Sequence, residues 1–319
     1  MQQIRQVVDS EFTAVNDFII EQLHSNVPLV ENIGHYIVDA GGKRLRPLLS
    51  LLCAGAIGRI DEKHLHLAAV IEFIHTATLL HDDVVDISAL RRGRPTANAN
   101  WGNAPSVLVG DFLYSRAFQI LVKIGSFPLM GLLSDTTNTV AEGEVLQLTR
   151  AGNPDTSEAT YFEVIRSKTA VLFGAACSGA AILSDNAEHQ SALHQYGVNL
   201  GIAFQLIDDI LDYEGDPAET GKNVGDDLAE GKPTLPLIYL LEHGSEAHKE
   251  LVRDAISNKS AEQLDAIVSA VKQCGALDYC HAAAKRYTYA AIAALNGLAP
   301  SPYRSALEKL TEIALSRRS

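Results

Sequence analysis

Residues 79–86 read LLHDDVVD, and residues 205–212 read QLIDDILD. Each octapeptide closes a longer apolar stretch, residues 65–80 in the first case and residues 195–207 in the second. Both stretches are apolar on nearly every side, which is typical of helices at the centre of a bundle and not of helices on its surface. The two segments therefore predict two buried helices that end in the same arrangement of aspartates.

The rest of the chain has the pattern of helices and shows no series of alternating strands. Apolar residues recur at three- and four-residue steps over residues 8–23 and 29–37. The Gly-Gly pair at residues 41–42 ends the second of these helices, and Pro47 suits the first turn of the next one. Pro and Gly cluster only in short breaks, so we predict an all-α fold and a single domain over residues 1–319.

The composition is that of a globular protein with an acidic surface. Of the 319 residues, 47% are hydrophobic and 20% are charged, which excludes a disordered chain. The formal net charge of −13 argues against a nucleic-acid partner, because such a partner requires a basic surface. The four cysteines show no metal-binding spacing, no secretory leader is evident, and the apolar residues 169–184 are too few to span a membrane. We expect a cytoplasmic protein without a membrane anchor.

The aspartates of each octapeptide have the spacing of a site for a divalent cation. Asp82 and Asp86 lie one helical turn apart on one face of the predicted helix. Asp208 is the first aspartate of the second cluster, which has the same spacing. Carboxylates at that separation can hold Mg²⁺, which favours oxygen ligands and keeps substrate phosphates in its shell. Acidic groups near a helix C-terminus oppose the helix dipole. One such motif is common on solvated helix faces, but two copies that close two buried helices favour bound cations.

Basic residues close to these motifs suggest what the cations bind. Lys43 and Arg46 lie beside the Gly-Gly break, and Arg91 and Arg92 follow the first aspartate cluster. Guanidinium groups bind phosphate oxygens in pairs, and a lysine adds a point charge. Each basic cluster alone would be interpreted as a solvated loop, but beside an acidic metal site it indicates a diphosphate. Lys168 lies in an apolar helical stretch, where a phosphate contact and a snorkelling side chain are about equally expected.

The order of these motifs resembles the trans-polyprenyl diphosphate synthases, and most closely the bacterial members that make octaprenyl diphosphate. The markers run from residues 42–47 (GKRLRP) through both aspartate clusters to residues 231–234 (GKPT). The resemblance covers essentially the whole chain. It implies a bundle of antiparallel helices around a deep central cavity, usually as a homodimer. It also implies Mg²⁺ as the cofactor, with an allylic diphosphate and isopentenyl diphosphate as the substrates.

The resemblance implies roles for individual residues as well. Asp82, Asp86 and Asp208 would hold Mg²⁺ against the allylic diphosphate, and together with Lys168 they form the implied catalytic set. The other aspartates of the clusters, namely Asp83, Asp209 and Asp212, would support them. Contacts with the allylic substrate are implied for Arg91, Lys168, Thr169, Gln205 and Lys222, with Lys232 as a weaker candidate. Contacts with isopentenyl diphosphate are implied for Lys43, Arg46, His75 and Arg92.

The implied reaction requires no side-chain nucleophile. Cations stabilise the departing diphosphate, and the double bond of isopentenyl diphosphate attacks the allylic carbocation that results. Ala77 and Thr78 lie about one turn before Asp82, where family members with short products commonly carry a bulky aromatic residue. Small residues at these positions predict a long product. We expect octaprenyl diphosphate, built from farnesyl diphosphate, for the side chain of a quinone such as ubiquinone.

Other interpretations remain open. A synthase of another product length, such as a geranylgeranyl or solanesyl diphosphate synthase, differs only in its product. A class I terpene cyclase shares the first aspartate motif, but its second motif is typically a mixed Asn/Ser/Glu type, unlike residues 208–212. A non-catalytic synthase subunit tends to lose Asp or Arg from these motifs, and none is missing here. A purely structural acidic bundle would leave the carboxylates on buried helices unexplained.

Overall fold

The computed structural model describes residues 1–91, 93–214 and 224–315, and these residues are almost entirely helical. The prediction of an all-α fold is confirmed. The helices of the first half are α1 (Gln2–Arg5), α2 (Asp9–Gln22), α3 (Pro28–Asp39), α4 (Leu45–Ala56), α5 (Glu62–Val85), α6 (Ala97–Trp101), α7 (Asn103–Ile124) and α8 (Phe127–Arg150). Those of the second half are α9 (Glu158–Ile165), α10 (Val171–Leu183), α11 (Ala187–Glu214), α12 (Asp226–Ala229), α13 (Leu235–His243), α14 (Glu246–Asn258), α15 (Leu264–Gln273), α16 (Ala276–Ala294) and α17 (Pro302–Leu315).

Contacts divide the chain into two compact units that alternate along the sequence. The first unit comprises the described residues of Met1–Thr137, Leu172–Gly197 and Ala294–Leu310. The second unit comprises those of Asn138–Val171, Val198–Ala293 and Thr311–Ser319. The single domain over residues 1–319 stays a prediction.

Helix α5 is the central helix of the first unit. Helices α2, α4 and α7 all pack against it. Its residues Leu67 to Ile71 are buried without interruption, so no face of this segment meets solvent. The buried helix predicted over residues 65–80 is thereby confirmed. A Cβ at Gly110 of α7 would collide with the ring of His81, so a glycine is needed where these two helices approach each other.

Local sequence explains where the first helices begin and end. After α3, Gly41 and Gly42 have φ angles of 77° and 133°, a region that a glycine enters without strain. Helix α4 begins at Leu45, so Pro47 lies in its first turn as predicted. At the start of α5, the carboxylate of Asp61 accepts the backbone N–H of Lys63, which satisfies a donor that the helix itself leaves unpaired.

A short hairpin follows α5. Strand β1 (Leu90–Arg91) pairs antiparallel with strand β2 (Arg94–Pro95), with Arg91 opposite Arg94. The periodicity of the sequence does not predict this sheet, because four paired residues are too few to show an alternating pattern. The hairpin matters for the site because it carries Arg91.

The core of the second unit forms around the second half of α11. Ile202, Leu206 and Ile210 recur every four residues on this helix and are fully or almost fully buried. They belong to one apolar cluster with residues of α13, α14, α15 and α16. The prediction of a buried helix over residues 195–207 is therefore confirmed.

Helix α10 is the most apolar helix, and it lies within the stretch of residues 169–184. Its residues from Leu172 to Ala181 are all buried. In the described part of the chain, no helix is both long enough and apolar enough to cross a membrane. The apolar stretch is thus a core helix.

Candidate active site

The first aspartate cluster lies at the C-terminal end of α5. Asp82 belongs to the last turn, and Asp86 is the residue that ends the helix. The backbone N–H of Asp86 donates to the carbonyl oxygen of Asp82 at 2.8 Å, so the two residues lie one turn apart as predicted. Both side chains are half-buried. The end of α5 therefore presents two partly accessible carboxylates.

Asp83, between them in sequence, has a different environment. It is 1% exposed and forms an ion pair with Arg91 of the hairpin. Its Oδ1 accepts from Nε of Arg91 at 2.8 Å and lies 2.7 Å from Nη2. Arg91, a predicted substrate contact, is held at the end of α5 by this pair. Asp83 is thus engaged within the chain, which agrees with the supporting role implied for it.

Ile87 follows Asp86 in a left-handed conformation, with φ of 55°. Its N–H donates to the carbonyl of Val84, and the N–H of Ser88 donates to the carbonyl of Asp83. This pair of hydrogen bonds is the Schellman motif, in which glycine is the usual left-handed residue. The Ile87 side chain is 85% exposed, so burial does not offset the backbone strain. A strained residue thus adjoins the first cluster.

Lys43 precedes α4 and Arg46 lies in its first turn, and the two basic residues differ in exposure. Lys43 is exposed, and its carbonyl oxygen accepts from Nη2 of Arg5 at 3.0 Å. Arg46 is half-buried, and its guanidinium carbon lies 4.3 Å from the centre of the Phe173 ring. A cation over an aromatic face is favourable, and it orients the guanidinium.

The predicted chain-length residues lie within α5. Ala77 is fully buried, and Thr78 is half-buried. The hydroxyl of Thr78 donates to the carbonyl oxygen of His75 at 2.8 Å. His75 itself is half-buried. Arg92 and Lys222, also predicted to contact the substrates, lie outside the described residues.

A cavity of about 170 Å³ in the second unit brings the predicted residues of this unit together. Lys168, Thr169, Gln205 and Asp208 all line it, as does the weaker candidate Lys232. The remaining lining residues are Gln147, Arg150, Thr156, Tyr161, Val164, Ile165, Asp209, Asp227, Pro233 and Thr234. Residues that are up to 87 positions apart in the sequence thus surround one cavity.

Lys168 lies on a single turn of π-helix, Arg166–Ala170, that connects α9 to α10. Its Nζ donates to Oε2 of Glu144 at 2.6 Å and to Oε1 of Gln147 at 2.8 Å. A Cβ at Gly143 would lie 2.9 Å from the backbone nitrogen of Lys168, so α8 can approach this turn only with a glycine there. Such π-turns are frequent at functional sites, where they reorient side chains. The turn and Gly143 together determine the position of Lys168.

A chain of hydrogen bonds connects the other predicted residues of the cavity. The hydroxyl of Thr169 donates to Gln205 at 3.1 Å, and the amide of Gln205 donates to Oδ1 of Asp209 at 2.8 Å. The hydroxyl of Tyr161 donates to Oδ2 of Asp209 at 2.6 Å. Burial, with a further contribution from the charge of Asp227, raises the pKa of Asp209 to about 8. Both oxygens of Asp209 are thus engaged within the chain.

Asp208 is the most accessible aspartate of the second cluster, because it is half-buried while Asp209 and Asp212 are buried. Oδ1 of Asp212 accepts the backbone N–H of Gly225 at 3.1 Å. Burial and the charge of Asp227 raise the pKa of Asp212 to about 8. Of the three aspartates, Asp208 is therefore the best placed to bind a ligand.

The carboxylates fit a divalent cation that is bound together with a phosphate. In residues 1–91, 93–214 and 224–315, no three His, Cys, Asp or Glu side chains converge as a complete metal site. Mg²⁺ commonly takes only one or two carboxylates and completes its shell with water and substrate phosphates. Asp82 and Asp86 at the end of α5, and Asp208 in the second unit, offer such partial ligand sets.

Several residues at the cavity were missed by sequence reasoning. Glu144 and Gln147 are three residues apart, a spacing that could have suggested a shared helix face. The sequence around Tyr161 is typical of a core aromatic residue. Nothing in it connects Tyr161 to Asp209, which lies 48 residues away. Asp227 belongs to an acidic pair, residues 226–227, that is also typical of a solvated helix start.

The polyprenyl synthetase family model matches residues 27–274, and the chain belongs to this family. The octaprenyl diphosphate synthase of Escherichia coli K12 is 48% identical over 319 residues, 99% of each chain. The all-trans-nonaprenyl-diphosphate synthase (geranyl-diphosphate specific) of Rhodobacter capsulatus is 49% identical over 317 residues, 99% of this chain and 98% of that one. The polyprenyl synthase of Caulobacter crescentus CB15, solved with calcium and isoprenyl diphosphate, has a TM-score of 0.96 and 41% identity, covering 100% of this chain and 98% of that one.

These relationships confirm the predicted family, the isoprenoid synthase type of all-α fold and the enzyme class. The protein is a prenyltransferase. The family depends in general on divalent metals, and prenyl diphosphates are the substrates that fit it. Neither a terpene cyclase nor a non-catalytic subunit agrees with this enzyme class.

Proposed function

We propose that this enzyme lengthens farnesyl diphosphate by successive additions of isopentenyl diphosphate, and that its product is octaprenyl diphosphate for the side chain of a quinone. The observation that carries the proposal is the cavity lined by Lys168, Thr169, Gln205 and Asp208. An ammonium, a carboxylate and neutral polar groups around one small cavity suit a diphosphate bound with a cation. Full-length relatives named for eight-unit and nine-unit products support a long product.

The proposed metal is Mg²⁺, with Asp82, Asp86 and Asp208 as its ligands. Support comes from the partial accessibility of these three carboxylates, while Asp83 and Asp209 are buried. When bound, the metal would neutralise the diphosphate and stabilise it as a leaving group.

The chain's own residues bind and orient both substrates. In this proposal, the allylic diphosphate contacts Arg91, Lys168, Thr169, Gln205 and Lys222. Isopentenyl diphosphate contacts Lys43, Arg46, His75 and Arg92. The allylic carbon–oxygen bond breaks, and the double bond of isopentenyl diphosphate forms the new carbon–carbon bond. A proton then passes from the condensed product to the released diphosphate, so no side-chain nucleophile is needed.

Product length is proposed to depend on Ala77 and Thr78. Neither carries a bulky side chain, and the hydroxyl of Thr78 is already bonded to a carbonyl of its own helix. Replacing Ala77 with Tyr is expected to shorten the product, with Ala77→Ser as the control because it adds a single oxygen atom. An unchanged product distribution in Ala77→Tyr would show that product length is limited elsewhere.

A nonaprenyl product is the second candidate. It is favoured by the relative of Rhodobacter capsulatus, which is named for a nine-unit product and for geranyl diphosphate. The preferred primer would then be geranyl diphosphate.

One assay tests both candidates. The purified protein is incubated with Mg²⁺, labelled isopentenyl diphosphate and either farnesyl or geranyl diphosphate, and the dephosphorylated products are sized by chromatography. A dominant eight-unit alcohol supports the main proposal, and a dominant nine-unit alcohol supports the second candidate. A four-unit alcohol would identify a geranylgeranyl diphosphate synthase. If no primer is lengthened, the proposed activity is wrong.

A cytoplasmic homodimer is the proposed state of the protein. Leu108 and Val122 of α7 are 65% and 61% exposed, and a second copy of the chain would remove such apolar side chains from water. All four cysteines are free thiols, as is usual in a reducing compartment. Light scattering of the purified protein should give the mass of a dimer, and a monomer mass would contradict the proposal.

A further inference from the structure

Arg150, the last residue of α8, lines the cavity of the second unit but belongs to none of the sequence motifs described above. Its Nε atom is buried and has no hydrogen-bond partner in the described part of the chain. A buried donor without an acceptor is costly, and few such groups occur in folded proteins. Because Arg150 also lines the cavity, its guanidinium lies where an anionic ligand would supply an acceptor.

The other cations of the cavity differ from Arg150 because they are paired with acidic residues. Lys168 contacts Glu144, and Lys232 contacts Glu230. Across residues 1–91, 93–214 and 224–315, the side chain of Arg150 forms neither an ion pair nor a hydrogen bond, although Asp208 and Asp227 lie in the same lining. The positive charge of Arg150 therefore remains available to an anion that enters the cavity.

We propose that Arg150 binds the diphosphate of the allylic substrate, as a contact additional to Lys168. A guanidinium presents two parallel N–H donors, which match two oxygens of a phosphate better than a lysine does. The allylic diphosphate is favoured over isopentenyl diphosphate because Arg150 shares its cavity with Lys168, Thr169 and Gln205. This inference rests on the proposed function, since it assigns a further binding residue to the same site.

The test compares Arg150→Gln and Arg150→Lys with wild type. Arg150→Gln is expected to raise the KM for farnesyl diphosphate about tenfold and to leave the KM for isopentenyl diphosphate unchanged. Arg150→Lys should recover part of the loss, because it restores the charge without the paired donors. The control is Arg253→Gln, which makes the same change of charge at an exposed ion pair with Asp155 in the same unit. Neither KM should change in the control.

A binding measurement separates this inference from the proposed function. Titration of each protein with inorganic diphosphate in the presence of Mg²⁺ should show about tenfold weaker binding to Arg150→Gln than to wild type. Unchanged binding and an unchanged KM for farnesyl diphosphate would overturn the inference. An equal rise of both KM values would also overturn it, because it would indicate a general disturbance of the fold. If wild type transfers no prenyl group, the proposed function fails instead, and the titration still tests Arg150.

Discussion

In the first aspartate cluster, Asp83 forms an ion pair with Arg91, whereas in the second cluster the equivalent Asp209 accepts hydrogen bonds from the neutral Tyr161 and Gln205. The guanidinium balances the charge of Asp83. Burial instead raises the pKa of Asp209 to about 8, so this group favours its neutral form. The two copies of one motif thus place their buried carboxyl groups in different surroundings: Asp83 is paired with a cation, whereas Asp209 has two neutral hydrogen-bond donors and a pKa that burial raises.

The backbone around the two clusters differs as well. The first cluster ends in a left-handed Ile87, a strained conformation at the end of α5. In the second unit, the π-turn at Arg166–Ala170 positions Lys168 close to the cavity, and Gly143 makes room for it. A strained residue therefore adjoins the first cluster, whereas in the second unit a wide helical turn positions Lys168.

The largest expected effect tests whether both clusters stabilise the departing diphosphate. Asp82→Ala and Asp208→Ala should each lower kcat about 100- to 1,000-fold, because each removes a charged group that stabilises the departing diphosphate. The measurement is steady-state incorporation of labelled isopentenyl diphosphate. Removal of divalent metal with EDTA should abolish the activity, and added Mg²⁺ should restore it.

Asp17→Ala is the matched control for these variants, because Asp17 is an exposed aspartate within α2. Its activity should equal that of wild type. A loss of activity in only one of the two variants would show that the other cluster has no equivalent role, and the proposed similarity of the two clusters would then be wrong.

The next expected effect separates the two clusters by stability. Asp83→Asn leaves Arg91 without its counter-charge and should lower the free energy of unfolding by roughly 2–3 kcal/mol. Asp209→Asn should change it by less than about 1 kcal/mol, since Asp209 already favours its neutral form and an amide can pair with Tyr161 and Gln205. Urea unfolding at pH 7 without added metal measures both. Equal losses in the two variants would contradict the proposed difference.

Packing at Gly143 is expected to have a smaller effect. Gly143→Ala would push α8 against the backbone of the π-turn, which should cost about 1–2 kcal/mol and reduce the activity through Lys168. Gly131→Ala on the same helix is the control, because no atom lies within 4 Å of the added Cβ, and it should be neutral or slightly stabilising. Gly110→Ala should cost less than Gly143→Ala, since the side chain of His81 can move and a backbone cannot. Thermal unfolding and kcat measure these effects.

The smallest expected effect concerns Ile87. Ile87→Gly should raise the free energy of unfolding by about 0.5–1 kcal/mol, because glycine adopts a positive φ without strain. Ile87→Val keeps the β-branched side chain and should leave the stability unchanged. A loss of stability in Ile87→Gly, measured by urea unfolding, would show that the exposed isoleucine makes a stabilising contact.

Much of the fold was predictable because its signals are local. The apolar runs before Asp82 and Asp208 predicted two buried helices, and the Gly-Gly pair at residues 41–42 predicted the end of α3, both as the structure has them. The hairpin that carries Arg91 was not predicted, since two-residue strands have no periodicity. The π-turn was not predicted either, because its sequence is compatible with an ordinary helix.

The sequence by itself determined the helical class, the two aspartate motifs and the resemblance to a family, since spacing along a helix and the order of motifs are properties of neighbouring residues. Only the tertiary structure decided that Asp83 is paired with Arg91, that Tyr161 holds Asp209, and that Arg150 lines the cavity with Lys168. These arrangements depend on contacts between residues distant in the chain. The free energy of a buried charge depends on the groups that packing brings around it, and a linear pattern does not specify those groups.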